Sequence, residues 1–270
     1  MNTDLRTFFG FKALPFAPDI TDRHLYKLQG MLEINERIQF AAQANMYFMI
    51  IGDVGSGKST ALRYACSQLP SKRYHVINIV GGSWSFMELL RQILYTLGKP
   101  TSSYQPSSML QYIYESLHLI RTDGRQPILV IDEAHLFRLD AYSQLHLLTQ
   151  QNLDNAQVMP IVLCGQELLF DRMQNPAARP LMSRILSGYN LRSLSQDETF
   201  GYIRHHVKVV GSVNREIFDE PSLIAISQAS AGIPRKINSL CLLALQMSMQ
   251  QDAQTVTSET IRKIAQNWWE

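Results

Sequence analysis

The sequence predicts an α/β fold in which strands alternate with helices, followed by a region that is helical only. Three observations lead there. Short apolar runs at 46–51, 75–80, 127–131 and 159–164 are separated by stretches with helical spacing. The first run empties directly into the glycine-rich stretch Gly52-Asp53-Val54-Gly55-Ser56-Gly57-Lys58-Ser59. From Ser195 onward no further strand pattern occurs, and capping and helical periodicity take over.

The glycine-rich stretch has the spacing of a phosphate-binding loop, placed between a buried strand and a helix that begins around Thr60. Glycines 52, 55 and 57 allow positive φ, so the N–H groups of Asp53, Val54, Ser56 and their neighbours can curl into a nest for phosphate oxygens. Lys58 is placed to neutralise phosphate charge and the Ser59 hydroxyl to ligate Mg²⁺. The N-terminus of the following helix, including Thr60, points its dipole at the same anion. ATP with Mg²⁺ is the expected ligand pair.

Composition bounds the remainder. The chain has 270 residues, 46% apolar and 18% charged, with a formal net charge of +2. That suits a globular protein with a sizeable core and two domains. No basic tail marks a nucleic-acid partner. The three cysteines, Cys66, Cys164 and Cys241, are far apart and odd in number, which fits reduced thiols and a cytoplasmic protein. No apolar run is long enough for a membrane span, and Met1-Asn2-Thr3-Asp4 lacks signal-peptide features.

In chain order, an aromatic arm (Phe8-Phe9-Gly10-Phe11, then Pro15-Phe16) is expected to lie extended, either packed on the core or, with Tyr26, walling an adenine pocket. Residues 30–44 form a scaffold helix. Ser85 and Glu88 make a capping box for a helix ending near Gly98, and another helix runs from Ser107 or Ser108 to about Asp123. The run 127–131 is apolar throughout and therefore covered on both faces. It ends in Asp132-Glu133-Ala134-His135. A carboxylate at such a strand tip can hold Mg²⁺ through water, and its neighbour can reach the water that attacks the γ-phosphate. Asp132 takes the first role and Glu133 the second. Gln166, at the polar tip of the next strand, is the candidate sensor of the γ-phosphate.

Tyr189-Asn190-Leu191 reads as a fifth strand, preceded by an arginine-rich stretch that includes Arg179 and Arg184. Ser195 and Glu198 open the helical region, with helices to about Val210 and near 221–230, 234–250 and 257–268. His205 and His206 are helix neighbours and point apart, which speaks against a shared metal. Arg235 falls in the first turn of a helix started by Gly232 and Pro234. A cation there opposes the dipole and calls for an anionic partner.

Taken together, Phe9-Gly10-Phe11, Pro15-Phe16, the loop 52–59, Asp132-Glu133-Ala134-His135, Leu163-Cys164-Gly165-Gln166-Glu167-Leu168 and Gly232-Ile233-Pro234-Arg235-Lys236-Ile237-Asn238 resemble the ExeA-type branch of AAA+ ATPases, nearly end to end. The resemblance implies a P-loop NTPase with an αβα core (46–194), a preceding arm and helix (1–45) and a helical lid (195–270). It implies a second sensor at Arg235 and an arginine finger acting in trans, Arg184. The branch is also similar to transposition regulators of the TnsC, TniB and IstB kind.

Two functions are therefore expected in competition. One is an ATP-dependent DNA-binding regulator that assembles as a ring or filament on double-stranded DNA and recruits or activates a transposase. The other is a secretion-associated or signalling switch ATPase without DNA binding. The sequence ends at Trp268-Trp269-Glu270 without a membrane span or peptidoglycan-binding region, which favours the first. Expected DNA contacts are Lys72, Arg73, Trp84 in the 81–85 loop, Arg121 and Arg125. Trp268 and Trp269 are either buried in the lid or a partner hook.

Overall fold

The structure is a computed structural model that describes residues 4–17, 20–150, 158–211 and 216–266. Trp268 and Trp269 lie outside the described residues. Two compact units account for the chain. One comprises Gln29–Val54 and Lys58–Leu191, the other Met1–Leu28, Gly55–Gly57 and Arg192–Glu270.

The first unit is built on five parallel strands: β1 (Tyr47–Gly52), β2 (Tyr74–Val80), β3 (Gln126–Asp132), β4 (Ile161–Cys164) and β5 (Ile185–Leu191). Their spatial order is β2-β3-β4-β1-β5, so β1 pairs with β4 on one side and β5 on the other. Alternation of side chains separates two buried faces. Tyr47, Met49, Leu129, Ile131, Ile161 and Leu163 share a core with the helices Phe86–Thr96 and Pro106–Thr122. Phe48, Ile50, Ile128, Val130, Val162 and Cys164 point the other way and are equally buried. The helices Gln29–Ala44 and Lys58–Gln68 pack on each other and on β1. Covering on both faces explains why these strands read as continuous apolar runs.

The Ser85 capping box forms as the spacing predicts: Ser85 Oγ accepts from the Glu88 N–H, and Glu88 Oε2 accepts from the Ser85 N–H at 2.7 Å. β5 begins at Ile185, four residues before the predicted start. Its side chains alternate between half-buried and exposed at the sheet edge, so it carries too weak an apolar signal to be read whole.

The second unit is helical: Gln196–Val209, Glu220–Ser230, Pro234–Gln250 and Ser258–Gln266. Its core contains Leu194, Tyr202, Ile203, Leu223, Ile226, Ile237, Leu240 and Leu245, joined by Phe11 and Phe16 from the N-terminal arm. The Phe16 ring stacks on His206 with centroids 5.2 Å apart. Contrary to the extended reading, the arm contains a short helix, Leu5–Phe9. Gly10 ends it in the left-handed region at φ 73, and the Phe11 N–H closes back on the Arg6 carbonyl at 2.8 Å. Gly10 works here as a helix C-cap, so a residue expected to keep the arm extended instead closes a helical turn.

Candidate functional site

The loop after β1 carries its charge inward. Lys58 opens the helix Lys58–Gln68 and is buried, with Nζ donating to the carbonyls of Gly52 at 2.9 Å and Asp53 at 2.7 Å. Ser59 and Thr60 occupy the same first turn, Ser59 exposed and Thr60 half-buried. Gly55 and Gly57 have φ of +81 and +95, the left-handed values that form a nest of N–H groups. Val54 is exposed at the loop tip. Ser56 is 2% exposed, and its hydroxyl has no hydrogen-bond partner among the described residues. A buried ammonium, an unpartnered hydroxyl and left-handed glycines at a helix N-terminus fit a polyphosphate, and the Ser59 hydroxyl fits its Mg²⁺.

Pairing of Ile131 with Leu163 and of Ile50 with Cys164 aligns the ends of β3, β4 and β1. Asp132 therefore ends its strand on the same carboxyl edge of the sheet as the loop, with β4 standing between β3 and the strand that feeds the loop. Its Oδ1 accepts from the Glu133 N–H at 2.8 Å. Glu133 sits in the left-handed region at φ 52 and is half-exposed. Its Oε2 lies 3.3 Å from Nδ1 of His135, a ring that burial holds below the ordinary histidine pKa despite the nearby Glu133. Burial and neighbouring Asp132 push the Cys164 thiol well up, so Cys164 is an inert thiol.

Gln166 enters this cluster through its backbone, whose N–H points at His135 Nδ1 at 3.4 Å. His135 and Gly165, which carry no expected role, and Gly81, expected only as part of a DNA-contacting loop, complete the arrangement. His135 stood in the quoted motif without a function. Gly165 lets it approach, since a Cβ there would lie 3.2 Å from His135 Nδ1. Gly81 donates to the Asp132 carbonyl at 2.7 Å, and a Cβ there would lie 2.8 Å from the Glu133 carbonyl oxygen. Two glycines after apolar strands were the available signal.

In the other unit, Arg235 occupies the first turn of Pro234–Gln250, exposed, with its N–H donating to the Gly55 carbonyl at 3.2 Å. Arg184 precedes β5, and its guanidinium donates to Pro180 O at 2.5 Å and to Gln150 Oε1 at 3.0 Å. Arg179 and Arg192 are exposed.

The expected DNA contacts are mostly engaged within the protein. Arg125 pairs with Asp123 at 2.7 Å, and Arg121 donates to the Val158 carbonyl. Arg73 lies over the Tyr74 ring, and Trp84 stacks on Phe137 with centroids 6.1 Å apart. Lys72 is exposed. Among the described residues no group of three or more His, Cys, Asp or Glu side chains could hold a metal. No helix among them is long and apolar enough to cross a membrane.

Comparison with known proteins agrees with this geometry. A family model for an AAA domain matches residues 42–173. The general secretion pathway protein A of Aeromonas hydrophila is 30% identical over 243 residues, which is 88% of this chain and 44% of the relative. The chain thus spans less than half the length of that relative. Among solved structures, the Aeropyrum pernix ORC2 protein in its ADPNP-ADP complexes superposes with a TM-score of 0.70 at 14% identity, covering 93% of this chain and 70% of its own. The Aeropyrum pernix ORC1 protein in complex with DNA gives 0.67 at 14% identity, covering 94% and 68%. The fold is the P-loop AAA+ fold with a helical C-terminal part, residues 42–173 match an AAA domain, and the residues of the loop fit ATP with Mg²⁺.

Proposed function

We propose that this chain is an ATP-driven switch that assembles with copies of itself and, once assembled, holds double-stranded DNA without reading its sequence. The observation that carries the switch is the hydrogen bond from the Arg235 N–H to the Gly55 carbonyl, because it ties the start of a lid helix to the middle of the phosphate-binding loop. In this reading residues 46–194 are the ATPase core, 195–270 the lid and 1–45 the arm and first helix.

Lys58 and the loop amides bind the β- and γ-phosphates, and Ser59 with Asp132 holds Mg²⁺, which supplies charge neutralisation there. Glu133 accepts a proton from the water that attacks the γ-phosphorus, the bond to the β-phosphate oxygen breaks, and ADP and phosphate leave. Gln166 senses the γ-phosphate, Arg235 reads it from the lid, and Arg184 reaches a neighbouring protomer's site.

DNA as the partner is supported by two solved neighbours of the same fold, the Aeropyrum pernix ORC1 protein in complex with DNA and Drosophila ORC bound to DNA. With a net charge of +2, one protomer has too few phosphate contacts to stay on a duplex at physiological salt. Assembly sums those contacts along one backbone. The finer form of the proposal is a regulator that recruits or activates a transposase, supported by the resemblance to the TnsC, TniB and IstB kind. A secretion-associated or signalling switch is the second reading, favoured by the 30% identity to the secretion protein.

Fluorescence anisotropy with labelled duplex DNA tests the choice. Binding that needs a non-hydrolysable ATP analogue, is cooperative and falls steeply with salt is the expected result. No affinity at low salt with the analogue removes the DNA reading and leaves the second one.

A further inference from the structure

At the tip of β3 one ring nitrogen faces two partners with opposite needs. The His135 side chain is 4% exposed, and its Nδ1 lies 3.3 Å from Glu133 Oε2 and 3.4 Å from the Gln166 amide nitrogen. An imidazole nitrogen either carries a hydrogen and donates or is bare and accepts. Toward a carboxylate it must donate, and toward an N–H it must accept. Nδ1 cannot serve both partners at once.

Room for the ring is built in rather than incidental. A Cβ on Gly165 would lie 3.1 Å from the His135 amide nitrogen and 3.2 Å from Nδ1, so a side chain there would crowd the ring. Glu133 precedes a short helical turn, Ala134–Leu136, with φ 52, and that turn sets carboxylate and imidazole two residues apart on one side. Hydrogen bonding in so buried a place is directional, because water cannot stand in for a lost partner.

We infer that His135 is a positioning residue for Glu133 and acts as a two-way selector between Glu133 and the tip of β4. With Nδ1 bare, the ring holds the Gln166 N–H and leaves the Glu133 carboxylate free to take a proton from water. With the hydrogen on Nδ1, the ring clasps the carboxylate and releases Gln166. The ring is neutral in both arrangements and carries one hydrogen, on Nε2 in the first and on Nδ1 in the second. Freedom of the carboxylate is thus coupled to the position of the strand tip where the γ-phosphate is sensed. This inference rests on the reading of Glu133 as the group that accepts the proton.

Two measurements test it, with Glu133→Gln as the separate check on that underlying reading. In steady-state assays, His135→Phe keeps ring bulk and should lower kcat by about 10- to 100-fold with KM little changed, as expected for a misplaced catalytic group. His135→Asn places an amide near the Nδ1 position and should recover part of the loss. In the full chain labelled with ¹⁵N-histidine, the Nδ1 resonance reports directly whether that atom is bare or protonated. It should change between the protein alone and the protein with a non-hydrolysable ATP analogue, the signal being assigned by its loss in His135→Asn.

Should Glu133→Gln hydrolyse ATP at the wild-type rate, the reading of Glu133 fails and the selector with it. If Glu133→Gln stops turnover while His135→Asn and a folded His135→Phe match wild type, only the selector is overturned. An Nδ1 resonance identical with and without the analogue overturns it as well, whether or not His135→Phe folds.

Discussion

Gly55 and Arg235 meet main chain to main chain: the Arg235 N–H reaches the Gly55 carbonyl at 3.2 Å, and a Cβ on Gly55 would lie 2.8 Å from the Arg235 Cβ. Gly57, two residues on, has a similar positive φ but no atom within 4 Å of its Cβ position. The pair separates a backbone cost from a packing cost. Gly55→Ala and Gly57→Ala should each lose about 1–2 kcal/mol for the left-handed residue, and Gly55→Ala should lose more because Arg235 and Ile233 must give way. Thermal unfolding of the two variants measures the difference, and equal Tm values would remove the Gly55 contact.

Lys58→Ala deletes a buried ammonium that faces the loop carbonyls. Loss of a charge-assisted contact to phosphate should weaken ATP binding by at least about tenfold. Glu133→Gln should instead bind ATP like wild type and stop hydrolysis. Calorimetric titration and a phosphate-release assay on the two variants give opposite patterns if the roles are as proposed.

Arg184 is held by Gln150 and Pro180 of its own chain. To serve a neighbouring site it must exchange the Gln150 contact for a phosphate, and a finger supplied in trans is worth about 10³-fold or more in rate. Arg184→Ala should therefore be nearly inactive, yet mixing it with Lys58→Ala should restore part of the ATPase activity at mixed interfaces. Mixtures that assemble but stay inactive would move the role to Arg179 or Arg192.

His206, buried beneath Phe16, has its pKa lowered from 6.5 to about 4, chiefly by burial and then by His205. Between those values the unfolded chain binds a proton that the folded chain refuses, so stability is present above pH 6.5 and falls as pH drops toward 4. The contribution is on the order of 3 kcal/mol. His206→Phe should flatten this part of the pH dependence of Tm, while a slope equal to wild type would show that His206 titrates normally.

Much of the site was legible because its signals are local. Glycine spacing, Lys58 and Ser59 announce the loop, the acidic pair follows an apolar run, and Ser85 with Glu88 and Ser195 with Glu198 mark helix starts within four residues of chain. The arm was less legible, because Gly10 is both a breaker and a cap and only the residues around it decide which. Arg121, Arg125 and Trp84 are DNA-contact candidates in the sequence, yet Val158, Asp123 and Phe137 engage them within the chain. In the cases of Val158 and Phe137 those partners are distant in sequence.

By itself, then, the sequence determined the alternation of strands and helices, the phosphate-binding loop, the acidic strand tip and the helical C-terminal region, since each depends on residues a few positions apart and on backbone geometry that those residues impose. Tertiary structure alone decided the strand order β2-β3-β4-β1-β5, the anchoring of Phe11 and Phe16 in the helical unit, and the meeting of Glu133, His135 and Gln166 around one nitrogen. Those relations join segments 30 to 200 residues apart or turn on one rotamer in a buried cluster. They are set by which apolar faces pack together and by where a glycine leaves space, and neither is written in any local pattern.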